Sequence, residues 1–289
     1  MTAEHLDLGN DPAYLAWRER RLAEAPRSAA GLLVEVTDLA APTPAERDAL
    51  LERVRRANMA VYATTPGTVD KSVLRGFAAG FGLVNLDANT LSDEDGITPL
   101  AVAAEGPRSR YIPYTARAIS WHSDGYYNAL DHQVRGMVLH CACPAAEGGE
   151  NDLLDHELAY IALRDAGREN IAALMDPEAM MIPGNSEDGN NRGDSYGPVF
   201  MVIDGALHMR YTARARNVVW KDDPAVRQAA RLLEDLLAGG SPFIIRHRLA
   251  AGQGLLCNNV LHTRRAFRDD PAAPRLLYRA RFHDRISGT

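Results

Sequence analysis

The segment Val134-Arg-Gly-Met-Val-Leu-His-Cys-Ala-Cys143 constrains the fold more than any other. Its apolar run predicts a buried strand. Pro144-Ala-Ala-Glu-Gly-Gly149 turns the chain, and Glu150-Asn-Asp-Leu-Leu-Asp155 predicts the return. Similar short runs recur from Gly31 to Asp38, Met59 to Thr64, Phe243 to Leu249, Gly254 to Asn258 and Leu276 to Phe282, with a hairpin from Val199 to Thr212 across Gly205. Many short strands separated by turn signals predict a mainly β fold with flanking helices, either a barrel or a two-sheet roll.

Helices are expected where capping chemistry precedes apolar residues at helical spacing. Asp11-Pro12 opens one to about Glu24, with Asp11 as N-cap, and Thr43-Pro-Ala-Glu46 opens a second with a capping box. Others are expected from Asp70 to Phe81, over 156–166 and 168–175, and from Asp223-Pro224 to about Leu237. Residues 1–10 read as a mobile tail. The segments 91–109 and 183–197, dense in Asp, Ser, Asn and Gly, read as long loops that wall a pocket. With no linker or repeat, a single domain over residues 1–289 is expected.

The formal charge of −6 lacks the basic footprint of a general nucleic-acid binder. No apolar run approaches the roughly 20 residues that span a bilayer. Cys141, Cys143 and Cys257 are odd in number and sit on apolar strands, so they read as small buried hydrophobes in a reducing, cytoplasmic setting.

Chemistry concentrates at Ser120-Trp-His122-Ser-Asp124-Gly125. In extended chain, residues two apart face the same way, so His122 and Asp124 aim an imidazole and a carboxylate at one point. That supplies two of the three ligands of a non-haem iron held by two histidines and one carboxylate. Alone, the pair also fits a capped turn with a satisfied histidine. His5-Leu6-Asp7 has the same spacing but lies in the polar tail. A third ligand is expected from a distant strand. His262, after the strand ending at Asn258, is the candidate, with mid-strand His247 and His140 as rivals. An iron oxygenase of this kind takes electrons from a 2-oxo acid, whose far carboxylate calls for the rigid fork of an arginine. Arg279, in Leu276-Leu-Tyr-Arg-Ala-Arg-Phe282, is placed for that role, with Arg275 earlier on the same face.

Trp121-His-Ser-Asp124, Gly148-Gly-Glu-Asn151, Asn259-Val-Leu-His262 and Arg275-Leu-Leu-Tyr-Arg279-Ala280 follow one another as do the motifs of the taurine dioxygenase family of iron(II)- and 2-oxoglutarate-dependent oxygenases, which this chain resembles over roughly residues 110–285. The resemblance implies a double-stranded β-helix, also called a jelly-roll or cupin-like core. It implies iron bound by His122, Asp124 and His262, and 2-oxoglutarate held by Arg279 with help from Arg275. It also implies O2 as co-substrate and hydroxylation of an unactivated C–H bond. Where relatives carry a threonine against the co-substrate carboxylate, Asn151 stands here. Arg110, Arg117, Arg192, Arg210, Arg214 and Arg216 flank the loop regions and suit a small anionic substrate, with Arg110, Tyr126, Arg214 and Arg216 as the candidate contacts. The run around Arg110–Thr115 and Tyr126–Asn128 is similar to a branch that hydroxylates the Kdo sugar of lipopolysaccharide. A lipid-linked sugar would bring the protein to the inner membrane face. A zinc-type metallohydrolase using the same ligands and a non-catalytic barrel binding a small acid are the alternatives.

Overall fold

A computed structural model describes residues 3–87, 93, 95–184 and 192–289. Residues 88–90 and parts of both expected loops, 91–92 with 94 and 185–191, lie outside the described residues. Helix ends follow the capping chemistry. α1 (Asp11–Glu24) is capped by Asn10, whose side chain accepts from the Ala13 N–H at 3.2 Å, one residue before the expected Asp11. Pro12 still falls in the first turn, where a missing N–H leaves no bond unmade. α2 (Pro44–Ala57) starts at the full Thr43–Glu46 capping box and stops at Asn58, in the left-handed region at φ 55°. α3 (Lys71–Ala79) is capped by Asp70, α4 (His156–Asp165) by Asp155 and α6 (Pro224–Asp235) by Asp223, with α5 (Arg168–Leu174) between the last two.

Contacts divide the chain into two compact units, each built from separate stretches. One comprises residues 26–119, 134–153 and 245–289. Its largest sheet uses β1 (Leu33–Glu35), β2 (Met59–Ala63), β3 (Thr98–Leu100), β5 (Gly136–Cys143), β8 (Gln253–Cys257) and β10 (Leu276–Phe282), ordered β1-β2-β8-β5-β10-β3. β1 and β2 are parallel, and the remaining pairs are antiparallel. A second sheet is ordered β7 (Ile245–His247), β6 (Asn151–Leu154), β9 (Leu261–Arg264) and β4 (Ile119–His122).

Period-two alternation gives the large sheet two different faces. Tyr62, Val138, Leu256, Ala280 and Phe282 pack against Leu50 and Val54 of α2 and Leu74 and Phe77 of α3. The opposite residues Val61, Met137, Leu139, Leu255 and Leu277 join Leu153 and Ile245 of the second sheet in another core. Each fully buried aliphatic side chain contributes about 1.5–3 kcal/mol. Truncating Phe77, 2% exposed, to alanine would cost about 3–5 kcal/mol through the cavity it leaves. Two packed sheets with helices outside are the mainly β, jelly-roll fold expected of the chain.

The other unit comprises residues 1–25, 120–133 and 154–244 and carries α1, α4, α5 and α6. A hairpin pairs Phe200–Ile203 with Ala206–Met209, turned by Asp204 and Gly205 at φ 51° and 81°. A three-stranded sheet joins Val219–Trp220, Met180–Ile182 and Ser195–Gly197. The expected mobile tail is tied down from Ala3 on. Glu4–Leu6 forms a helical turn, Leu6 is buried, and His5 stacks on Trp17 at 4.8 Å. The buried Arg164 guanidinium donates to the carbonyls of His5 and Asp7 at 3.1 and 2.9 Å.

Candidate metal centre

β4 ends at His122, and the chain turns through Ser123, Asp124 and Gly125. Gly125 sits at φ 68°, where a side chain would be strained. The strand end is pinned by a facing segment. Ser123 N–H donates to the Tyr211 carbonyl at 3.0 Å, and the Tyr211 N–H returns to Ser123 Oγ at 3.1 Å. Ala213 N–H donates to the Trp121 carbonyl at 2.8 Å, and the Trp121 indole donates to the Leu237 carbonyl at 2.9 Å.

His122 Nε2 lies 3.8 Å from Asp124 Oδ1. His122 Nδ1 meets the Ser120 carbonyl and His262 Nδ1 meets the Val260 carbonyl, both at 2.9 Å. Each ring therefore carries its proton on Nδ1 and offers the Nε2 lone pair, the tautomer a metal ligand needs. Among the described residues, His122, Asp124 and His262 form a group whose candidate ligand atoms all lie within 4.8 Å of one another. Two imidazoles and one carboxylate are the donor set of non-haem iron(II), so the residues fit the ion. The rivals have other partners. His140 is buried beside the Tyr62 hydroxyl, with Nδ1 at 3.2 Å, and burial lowers its pKa to about 4. His247 Nε2 meets Gln253 Oε1 at 3.0 Å.

Two adjoining cavities lie within the roll. One is walled by His262, His247, Asn151, Leu153 and Leu255, the other by Asn151, Arg275, Arg248, Leu277 and Gly149. Asn151 borders both, and its amide donates to the Thr263 carbonyl at 2.6 Å, which leaves one amide N–H for a ligand. Gly148 and Gly149 make room. A Cβ on Gly148 would come 2.3 Å from the Ala266 carbonyl oxygen, and both glycines hold positive φ, 73° and 78°. Arg275 is 5% exposed, with its guanidinium 4.8 Å from the centre of the Phe267 ring. Arg279 shares the inward face of β10 with Leu277, directly opposite Leu139 of β5. Arg281, on the same face, is claimed by Asp87.

Sequence reasoning missed Arg264. Its pKa falls to about 9, first because it is buried and then because Arg275 and Arg279 lie near enough to repel it. Its alternation with His262 along β9 is the signal that points to it. The cysteines are unbridged, with Cys141 and Cys257 buried, as small hydrophobes are.

The candidate substrate contacts are dispersed. Tyr126 accepts from the Asn217 amide at 3.0 Å, and burial raises its pKa. Asn217 ends a short turn (Ala215–Asn217) that holds the exposed Arg216 and follows the half-buried Arg214. This turn continues the segment paired with the His122 strand. Arg192 donates to the carbonyls of Pro183 and Tyr127 at 2.7 and 3.3 Å. Arg110 is exposed on a turn of the other unit. Arg210 is fully buried and donates to the Met180, Gly197 and Ser195 carbonyls, so it holds the protein together and does not meet substrate.

Residues 30–281 match the family model "Taurine catabolism dioxygenase TauD, TfdA family". A uridine-5'-phosphate dioxygenase from Streptomyces sp is 31% identical over 209 residues, covering 65% of this chain and 70% of the relative. Among solved structures, asparagine oxygenase in complex with Fe(II), a 3-hydroxyasparagine and succinate superimposes with a TM-score of 0.59 at 14% identity, covering 83% of this chain and 79% of that one. The non-heme iron oxygenase OrfP, with Fe, succinate and a dihydroxy-L-arginine, gives 0.62 at 16% identity, over 91% and 84%.

Proposed function

From the premise that this chain belongs to the TauD/TfdA family, we propose that it oxidises a C–H bond of a small anionic substrate at iron held by His122, Asp124 and His262. The protein is an Fe(II)- and 2-oxoglutarate-dependent dioxygenase. Family membership displaces the zinc-hydrolase and non-catalytic alternatives. The match spans stretches of both compact units, which supports reading them as one catalytic domain.

Iron bound there would let O2 oxidise the substrate with the two further electrons taken from 2-oxoglutarate, and the protein positions and encloses. Arg279 and Arg275 hold the far carboxylate of 2-oxoglutarate as a forked, charge-assisted pair, with Asn151 adding one N–H. The reading is supported by cavities that adjoin at Asn151, with His262 bordering one and Arg275 the other. The carbonyl-locked tautomers of His122 and His262 keep both Nε2 lone pairs directed at the ion without a proton to lose.

The anionic character of the substrate is carried by one observation. The segment paired with the His122 strand leads directly into Arg214 and Arg216, and neither makes an ion pair among the described residues. Tyr126 adds an aromatic face and a hydroxyl, and Arg110 is a further candidate contact. The uridine-5'-phosphate dioxygenase supports a phosphorylated nucleoside as the anion, while Kdo remains the acidic-sugar alternative. We place the activity in a reducing, cytoplasmic setting, in keeping with the three free cysteines. Among the described residues no helix is long and apolar enough to cross a membrane.

The test is substrate-dependent succinate formation by the iron-loaded protein with uridine 5'-phosphate, uridine and Kdo in parallel. Stimulation by the phosphate and not by uridine is the expected result. Stimulation by Kdo alone would move the assignment to the sugar, and equal stimulation by uridine would remove the requirement for an anion.

A further inference from the structure

Arg264 is 5% exposed, carries a full charge and forms no ion pair among the described residues. Burying a guanidinium is costly unless its donors are satisfied. Here both Nη atoms are spent on one turn of chain, while the buried Nε makes no hydrogen bond. Nη1 donates to the Pro113 carbonyl at 2.9 Å, and Nη2 to those of Thr115, Arg117 and Ile112 at 2.5, 2.6 and 3.3 Å. The turn is shaped to converge on it. Thr115 Oγ1 and Thr115 N–H both donate to the Ile112 carbonyl, at 2.9 and 3.0 Å, and Phe267 N–H donates to the Ala116 carbonyl at 3.0 Å. The Arg264 guanidinium lies 5.0 Å from the centre of the Phe267 ring, the ring that also carries Arg275 at 4.8 Å.

Position gives this clamp its consequence. Arg264 stands two residues after His262 on β9, and the clamped turn ends just before β4, which delivers His122. One side chain thus ties the strand carrying one proposed ligand to the chain leading into the other two. Arg275 and Arg279 are near enough to repel Arg264. A dianion held by those two arginines cancels that repulsion and lets the guanidinium bind its carbonyls more tightly.

We propose that Arg264 is a positioning residue that orders the 112–117 turn and couples that order to occupancy of the anion site at Arg275 and Arg279. The coupling rests on the co-substrate reading given above, whereas the clamp does not. The turn tightens when 2-oxoglutarate is bound, so the approach to the metal-ligand strand is set before substrate arrives.

Hydrogen–deuterium exchange of peptides covering 110–119 tests this in the full chain loaded with Mn(II), with and without N-oxalylglycine, whose binding is measured separately by calorimetry. In the native protein N-oxalylglycine should slow exchange over 112–117 about five- to ten-fold. Arg264→Lys keeps the charge but cannot fork across four carbonyls. It should exchange about ten-fold faster there without ligand and lose the ligand-dependent slowing, while N-oxalylglycine affinity falls by less than about ten-fold. Unchanged basal exchange in Arg264→Lys overturns the clamp. Retained slowing in that variant, or none in a native protein that binds N-oxalylglycine normally, overturns the coupling. Failure of the native protein to bind N-oxalylglycine overturns the co-substrate reading and the coupling with it, and leaves the clamp to be decided by basal exchange. The native comparison needs no variant, so it decides the coupling even if Arg264→Lys folds poorly.

Discussion

Arg210 and Arg264 are both buried, and both direct Nη donors to backbone carbonyls while a buried Nε makes no hydrogen bond. They differ in their neighbours and in the segments they hold. Arg264 sits on a strand of the roll with Arg275 and Arg279 pressing on its charge. Arg210, in the other unit, follows a hairpin and joins carbonyls at Met180, Ser195 and Gly197, at the two ends of the second long loop, with Arg192 as its like-charged neighbour. The contrast assigns two tasks to two regions. On the proposed reading, Arg279 on a sheet strand and Arg275 just before it form a rigid site for the co-substrate anion, which does not vary. Arg210 holds the loop ends in place, and on the same reading the turn arginines Arg214 and Arg216 leave the choice of substrate to segments that tolerate change.

Four outcomes break or sharpen that division. The largest effect is expected from Arg210→Met, which strands three buried carbonyls and should cost roughly 2–4 kcal/mol in denaturant unfolding; a loss below about 0.5 kcal/mol would mean that the loop ends stand without it. Next, Arg279→Met should weaken 2-oxoglutarate binding by roughly 10–100-fold in a titration of the metal-loaded protein, because it removes a charge-assisted fork. Unaltered affinity would shift the anchor to Arg275 alone. Replacing Arg214 and Arg216 together by alanine should raise the KM for an anionic substrate about ten-fold and leave that for 2-oxoglutarate unchanged. Parallel changes in both constants would erase the distinction between the two regions.

The smallest effect is a pH dependence confined to the roll. The pKa of His140 is about 4 in the folded protein, below the 6.5 of a free imidazole. The unfolded chain therefore takes up the proton first as pH falls. Stability from this residue is complete above about pH 6.5 and is lost as the pH falls from 6.5 to about 4. Urea unfolding of His140→Phe across that window should show a flatter profile than the native protein, and an equally steep one would rule His140 out.

The roll was readable because its information is local. The apolar run of β5, the alternation on β10 and the turn at Gly148-Gly149 announce strands and where the chain leaves them, but not their pairing: β5 and β6 flank that turn and lie in different sheets. His122 and Asp124 were readable for the same reason, since two residues apart on a strand means one face. Arg264 was not, because in Thr263-Arg-Arg-Ala266 the composition does not separate the buried arginine from the exposed Arg265 beside it. Arg210 looked like a pocket residue because its partners are carbonyls brought from 180–197 by tertiary folding. The tail from Ala3 looked mobile because its polarity hides a dock built by Trp17 and Arg164.

The central claim is that His122, Asp124 and His262 hold an iron that 2-oxoglutarate chelates. It is tested most directly by adding Fe(II) and 2-oxoglutarate anaerobically and recording the visible charge-transfer band of the chelate. The account predicts the band in the native protein and in His247→Ala, and none in His262→Ala. A band that survives in His262→Ala and vanishes in His247→Ala would contradict it.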